Sequence, residues 1–289
     1  MKRQAALTAV AVLAVLGGIG VAAHLMVVSE RDALLFSVIV LGVGIVTLRV
    51  AAIAERERAR ARAEKTRRQL VAAVSHDLRT PIASLRLLVE AVDDEIVDGE
   101  TRRRYLATMQ THIRSLSTMI DDLFELSRIE AGDIEWSMRQ VELALLVDET
   151  VDAMQPEALA RGVEVRSQLG GAPLAARADP EKIQRVLFNL IRNAIHHTPA
   201  DGSVTVRAEA RPDAVEVEVA DSGEGIGEEE RGRVFEPFYR GGEDSAARSA
   251  DGAGLGLAIS RAIVETHGGA IWIAAAEGGT SVRFTLPAR

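Results

Sequence analysis

No cysteine occurs in the 289 residues, which excludes a disulfide framework, a thiolate zinc site and a cysteine nucleophile. Aromatic residues make up only 3% of the chain, so its core must be built from Ala, Val, Leu and Ile. That composition suits helix packing and small sheets. Basic charge is not in excess either. A net charge of -8 carries no nucleic-acid footprint, and no nucleic-acid partner is expected.

What is present is unevenly placed. Residues 5–28 are almost wholly apolar, and residues 33–53 form a second apolar run broken by Ser37, Thr47 and Arg49. About 20 helical residues cross a bilayer core of roughly 30 Å, so each run is long enough. Only Ser29-Glu30-Arg31-Asp32 separates them, as a tight polar turn. Lys2 and Arg3 precede the first run, and a cluster from Arg49 to Arg68 follows the second. Positive flanks mark the cytoplasmic side. The reading is a hairpin of two transmembrane helices over 1–53, with both ends cytoplasmic, followed by a basic juxtamembrane signalling helix over 54–68. A cleaved signal peptide is the competing reading; the second run and its basic flank argue against it.

Apolar residues at Leu70, Val74, Leu78, Leu85, Leu88 and Val92 fall on one helical face, and a second stripe follows at Leu106, Met109, Ile113, Leu116, Ile120 and Leu123. Asp98-Gly99 lies in the turn between them, and Ala131-Gly132-Asp133 ends the second helix. Two helices alone enclose no core, whereas two such hairpins form a four-helix bundle. A homodimer is therefore expected through residues 69–132. The first helix carries Ser75-His76-Asp77-Leu78-Arg79-Thr80-Pro81. A neutral imidazole can attack phosphorus, and an adjacent carboxylate can accept its ring N–H and hold the useful tautomer. Thr80 lies one turn after His76, and Pro81 frees a backbone carbonyl.

Beyond Trp136 the texture becomes α plus β. Helices are expected at 145–161, 180–197 and 255–267, the second opened by Asp179-Pro180. Strands are expected at 163–167, 204–206, 215–219, 270–274 and 281–286. Mixed helices and antiparallel strands point to a two-layer α/β sandwich over 138–289. Asn189 and Asn193 share one helix face, and amide oxygens are suitable magnesium ligands. Asp221-Ser222-Gly223-Glu224-Gly225-Ile226-Gly227 follows a strand and can present a carboxylate and bare backbone to a flat ligand. Phe235 to Arg240 concentrates aromatics in a chain that has few. Gly252-Ala253-Gly254-Leu255-Gly256 opens a helix, where backbone N–H groups favour phosphate.

SHDLRTP resembles the phosphoacceptor box of bacterial two-component sensor histidine kinases. The four later stretches, with Gly278-Gly279-Thr280, resemble in order the Bergerat-type ATP-binding domain shared by histidine kinases, gyrase, Hsp90 and mismatch-repair proteins. The resemblance spans about 66–289. It implies that His76 is phosphorylated from ATP, that Asp77 is its general base, and that Thr80 positions water for dephosphorylating a response regulator. It implies that Asp221 bonds the adenine amine, that Asn193 coordinates Mg2+, and that Asn189 lies close to the phosphates. Gly223, Gly225, Ile226 and Gly227 would shape the adenine side. Gly252, Gly254, Leu255 and Gly256 would meet phosphates beneath a lid over 228–251. His196, Phe238, Arg240 and Thr280 complete the nucleotide contacts, Arg240 reaching the γ-phosphate. The partners implied are a second copy, the bacterial inner membrane and a response-regulator receiver domain.

One departure concerns His196 and His197, which stand where the family often has Lys and Tyr. A neutral His neutralises less phosphate charge than Lys, which puts affinity or rate in doubt. An ATPase of the same superfamily is the alternative function, and a phosphatase-biased or non-catalytic membrane scaffold is another. The ATPases place a Glu base where Asn189 stands, and Asn cannot take a proton.

Overall fold

The computed structural model describes residues 41–42, 44–54, 57, 74, 78–93, 98–171, 173–239, 241, 254–276 and 278–288. These belong to two units, residues 1–69 and 70–289. In the first, residues 44–54 are helical (α1), and Ile45, Val46, Leu48, Val50 and Ile53 are all exposed. Among the described residues no helix is long and apolar enough to cross a membrane. Most of the two expected spans and of the juxtamembrane helix lie outside the described residues.

The second unit begins with a helical hairpin. Residues 78–93 form α2, and Gly99–Ala131 form α3. Asp98 ends the turn rather than lying inside it: its carboxylate accepts the Thr101 N–H at 2.7 Å and caps α3. Gly132, at φ 74°, closes the other end, where its N–H and that of Asp133 meet the Ile129 and Arg128 carbonyls. Ser84 and His112 face each other across the two helices at 3.3 Å.

The α/β layer follows as β1 (Arg139–Glu142), α4 (Leu143–Arg161), β2 (Glu164–Leu169), β3 (Ala175–Ala178), α5 (Pro180–His197), β4 (Ser203–Ala210), β5 (Ala214–Asp221), α6 (Gly256–Thr266), β6 (Ile271–Ala274) and β7 (Ser281–Pro287). Five strands form one sheet in the order β2-β4-β5-β7-β6, and β1 pairs with β3 in a small second sheet. The expectation of purely antiparallel strands is corrected at one place: β2 runs parallel to β4. The physical reason is the α5 crossover, since a strand that returns through a helix on one face enters in the same direction. The small β1–β3 sheet is not expected from sequence.

Alternation decides which face is buried. Val204 and Val206, Val215, Val217 and Val219, and Val282, Phe284 and Leu286 are buried. They form one core with Ile183, Leu187, Leu190 and Ile191 of α5, Ile259 and Ile263 of α6, and Leu143 and Val147 of α4. The other face is a charge ladder. Glu218 meets Arg207 at 2.9 Å and Arg283 at 3.0 Å, and Glu216 meets Arg211 at 3.1 Å. Burial alone would raise the Glu218 carboxyl, but bonds from Ser281, Arg207 and Arg283 outweigh it and hold it below its ordinary value.

A buried histidine ties the end of α6 to the start of α5. His267 Nε2 accepts the Asp179 N–H at 3.0 Å, which assigns the ring proton to Nδ1, 2.7 Å from the Ile263 carbonyl. The Trp136 ring stands edge-on to it at 5.1 Å, and Asp179 Oδ2 accepts the Ser137 N–H at 2.9 Å. Burial pushes the His267 pKa below its ordinary value, despite the Ile263 bond and the Asp179 charge. A depressed histidine contributes stability that is present above the unfolded value near 6.5 and lost as pH falls through the folded one. His267→Ala should cost about 1–3 kcal/mol at pH 8, because the buried Asp179 N–H loses its acceptor. Urea denaturation at pH 8 and pH 5 should show the gap between wild type and variant narrowing in acid; a gap constant with pH would contradict this assignment.

Candidate functional site

Strand β5 delivers Asp221 to its C-terminal end, opposite Val204 of β4. The loop that follows turns back at once. The Asp221 N–H donates to the Thr280 carbonyl at 2.8 Å, and Ser222 exchanges bonds with Ser203. Asp221 Oδ1 accepts two backbone donors, Gly223 N–H at 2.9 Å and Thr280 N–H at 3.1 Å. Burial raises the carboxyl above its ordinary value, and these two donors and the nearby His197 oppose it. The result is a half-buried carboxylate with fixed orientation.

Two glycines make that approach possible. A Cβ on Gly279 would lie 1.8 Å from the Asp221 carbonyl oxygen, at a φ of +73°. A Cβ on Gly223 would lie 2.3 Å from the His197 carbonyl oxygen. Gly225 sits across from Gly279, and Ile226 and Gly227 continue the same rim, with Gly227 accepting the Glu230 and Arg231 N–H groups.

The paired asparagines come from α5. Asn189 Nδ2 lies 3.3 Å from the Gly256 carbonyl and 3.5 Å from Ser260 Oγ, which brings the helix face to the start of α6. Asn193 is half-buried one turn further on. Leu255, just before α6, is buried. The aromatic stretch closes against this turn. Phe238, at φ 63°, donates its N–H to the Gly254 carbonyl at 3.0 Å. Tyr239 donates its hydroxyl proton to Glu230 Oε1 at 2.8 Å, and the Arg233 guanidinium lies 4.7 Å over its ring. Two expected groups are thus assembled, one around Asp221 and Thr280, the other around Asn189 and Gly256.

His196 is engaged elsewhere: its Nε2 lies 2.9 Å from Glu157 Oε1 of α4. Thr80 is exposed on α2. His76, Asp77, Arg240 and Gly252, and residues 242–251 of the expected lid, lie outside the described residues. His197 was not singled out for the Asp221 pocket, yet its carbonyl abuts Gly223 and its charge acts on Asp221. Its position one turn after Asn193 was the available signal. Among the described residues, no group of three or more His, Asp or Glu is placed to hold a metal. An open pocket lined by Arg139, Glu142, Leu145 and Pro180 shares no residue with these groups.

Residues 66–132 match the His Kinase A (phospho-acceptor) domain, and residues 178–289 match the histidine kinase-, DNA gyrase B- and HSP90-like ATPase family. Sensor-like histidine kinase SenX3 of Mycobacterium tuberculosis is 34% identical over 226 residues, covering 78% of this chain and 55% of that one. Sensor histidine kinase WalK of Bacillus subtilis is 32% identical, covering 78% and 37%. The chain thus spans about half or less of these relatives. Among solved structures, histidine kinase ThkA in complex with the response regulator TrrA aligns at a TM-score of 0.65 and 26% identity, covering 76% of this chain and 61% of that one. Full-length ShkA in complex with AMPPNP aligns at 0.56 and 28%, covering 75% and 44%.

The Asp221–Gly279 contact has a direct test. Gly279→Ala should lower the thermal midpoint by roughly 5 °C or more, from left-handed strain plus backbone displacement. Gly278→Ala, whose Cβ would meet nothing within 4 Å, should change it little. Equal midpoints for the two variants would show that the loop yields freely.

Proposed function

The chain belongs to the two-component sensor histidine kinases, and we propose that it phosphorylates its own His76 from ATP and passes the phosphoryl group to an aspartate of a response regulator. The observation that supports this reading is the occurrence, in one unit, of the α2–α3 helical hairpin and a half-buried carboxylate pocket at Asp221, in a chain whose sequence carries the His76 box just before the described start of α2. Both backbone bonds to Asp221 fall on Oδ1, and in this reading the carboxylate also accepts the exocyclic amine of adenine. Gly223 and Gly225 let the flat base approach. Gly254 and Gly256 bring phosphates to the N-terminus of α6, where backbone N–H groups and the helix dipole favour anions.

A lone amide oxygen suits Mg2+, which keeps several waters and takes its remaining ligands from substrate phosphates. Asn193 would hold the ion, which supplies charge neutralisation at the phosphates. His76 attacks the γ-phosphorus in line. A P–N bond forms, the bond to the β–γ bridging oxygen breaks, and ADP leaves. Asp77 accepts the imidazole N–H proton. Asn189 stands where a carboxylate base would activate water, and it is already hydrogen-bonded to α6, which favours transfer over hydrolysis. Thr80, exposed on α2, has in this reading the further task of positioning water on a phosphorylated partner.

Two further parts of the reading rest on exposed apolar surface. Leu106, Ile113 and Ile120 recur every seven residues on α3 and are all exposed, as a bundle seam awaiting a second copy would be. The apolar residues exposed around α1 fit lipid rather than water, in keeping with two spans over 5–28 and 33–53 and a bacterial inner-membrane location.

The full chain in detergent, incubated with γ-labelled ATP and Mg2+, should take up acid-labile label, and His76→Gln should take up none. Label on both would mean that the acceptor is a different residue. No label on either, with nucleotide bound, would favour a phosphatase-biased protein.

A further inference from the structure

One face of α5 carries Lys182, Arg185, Asn189 and Arg192, at successive steps of three, four and three residues. Across it lies α3 with two carboxylates one turn apart, Asp122 and Glu125. Lys182 Nζ meets Glu125 Oε1 at 2.6 Å, and Arg185 meets Asp122 Oδ1 at 2.5 Å and also the second Glu125 oxygen. The Glu125 side chain is 9% exposed and that of Asp122 16%, so both carboxylates have left water for these partners. Burial raises the Asp122 carboxyl, while Arg185 and then Arg192 oppose that rise. Arg192 also donates to Asn189 Oδ1 at 3.4 Å. Asn189 in turn contacts the first residue of α6. Charged and polar side chains therefore line this face of α5 from the hairpin to the phosphate end of the proposed nucleotide site.

We propose that the α3 carboxylates and the phosphates of a nucleoside triphosphate compete for the cationic face of α5, so that docking of the hairpin weakens triphosphate binding and triphosphate loosens the docking. This rests on the reading that phosphates lie beside Asn189. Asp122 acts in two ways that share a sign. Its negative charge repels a polyphosphate, and it engages the guanidinium of Arg185 that would otherwise attract one. By linkage, whatever affinity the docked helix removes from the nucleotide, the nucleotide removes from docking. A triphosphate, with one more charged group directed toward α5, should feel this more than a diphosphate. Asp122 and Glu125 are positioning residues, since neither belongs to the nucleotide domain.

The test uses the full chain in detergent with Mg2+, and titrates AMP-PNP and ADP by calorimetry. Asp122→Asn should tighten AMP-PNP by about fivefold or more, within the usual range of coupling between sites. ADP should tighten less, and Glu125→Gln, one turn further from Asn189, should have a smaller effect. On the wild type, amide hydrogen exchange over residues 119–129 should quicken when AMP-PNP is added. That measurement stands even where a variant fails to fold. Unchanged or weakened AMP-PNP affinity in Asp122→Asn, or exchange at 119–129 that slows or does not change, would overturn the proposal while leaving the nucleotide site intact. A wild type that binds neither nucleotide would overturn the nucleotide reading itself, and the proposal with it.

Discussion

The carboxylate of Asp221, gripped by the N–H groups of Gly223 and Thr280, is the contact on which the geometry of the α/β layer turns. It joins three pieces of backbone that are distant in sequence: the end of β5, the loop after it and the start of β7. The cost of burying part of a carboxylate is offset only if its hydrogen bonds are satisfied. Those bonds require main chain to approach main chain, and hence glycine at 223 and 279. The same contact ties the end of β5 to the start of β7 and fixes the orientation of the carboxylate. The chemistry of the site and the packing of the sheet are therefore one constraint.

A second level of organisation links this layer to the hairpin. α5 faces two ways. Its apolar side, with Leu187, Leu190 and Ile191, seals the sheet. Its polar side offers Lys182 and Arg185 to α3, and Asn189 to the glycine turn of α6. Met119, Leu126 and Ile129 provide an apolar floor beneath the ion pairs. Partly buried ion pairs contribute modestly to stability, because desolvation cancels much of their attraction. Each joins a cation of α5 to a carboxylate of α3, so together they define which faces of the two helices meet.

Much of the fold was legible because local signals and global packing agree. The α5 helix begins at Asp179-Pro180 as expected, with the Asp179 carboxylate accepting the Lys182 N–H. β5 reads from the alternation of Val215, Val217 and Val219. β1 and β3 were not legible: each is four residues long, and β3 is alanine-rich, so neither offers a period to detect. The parallel pairing of β2 with β4 is a property of connectivity, invisible in either strand alone.

The site was legible as a set of motifs and not as a set of contacts. The spacing of Asn189 and Asn193 gave a common face, but not the bond from Asn189 to Gly256. The role of His267 depends on Asp179, 88 residues away in sequence, and that of Asp122 on Arg185, 63 residues away. Long-range pairing of this kind has no local signature. Nor did sequence reveal that His196 pairs with Glu157 across to α4.

The proposed selection of an adenine nucleotide rests on the carboxylate of Asp221. Competitive binding of ATP and GTP to the full chain, with Asp221 intact, tests it most directly. An adenine amine is a donor that a carboxylate can accept, whereas the guanine carbonyl at the same ring position is an acceptor that would leave the proposed Asp221 contact unpaired. ATP should bind at least about a hundredfold more tightly than GTP. Equal affinity for the two would contradict it.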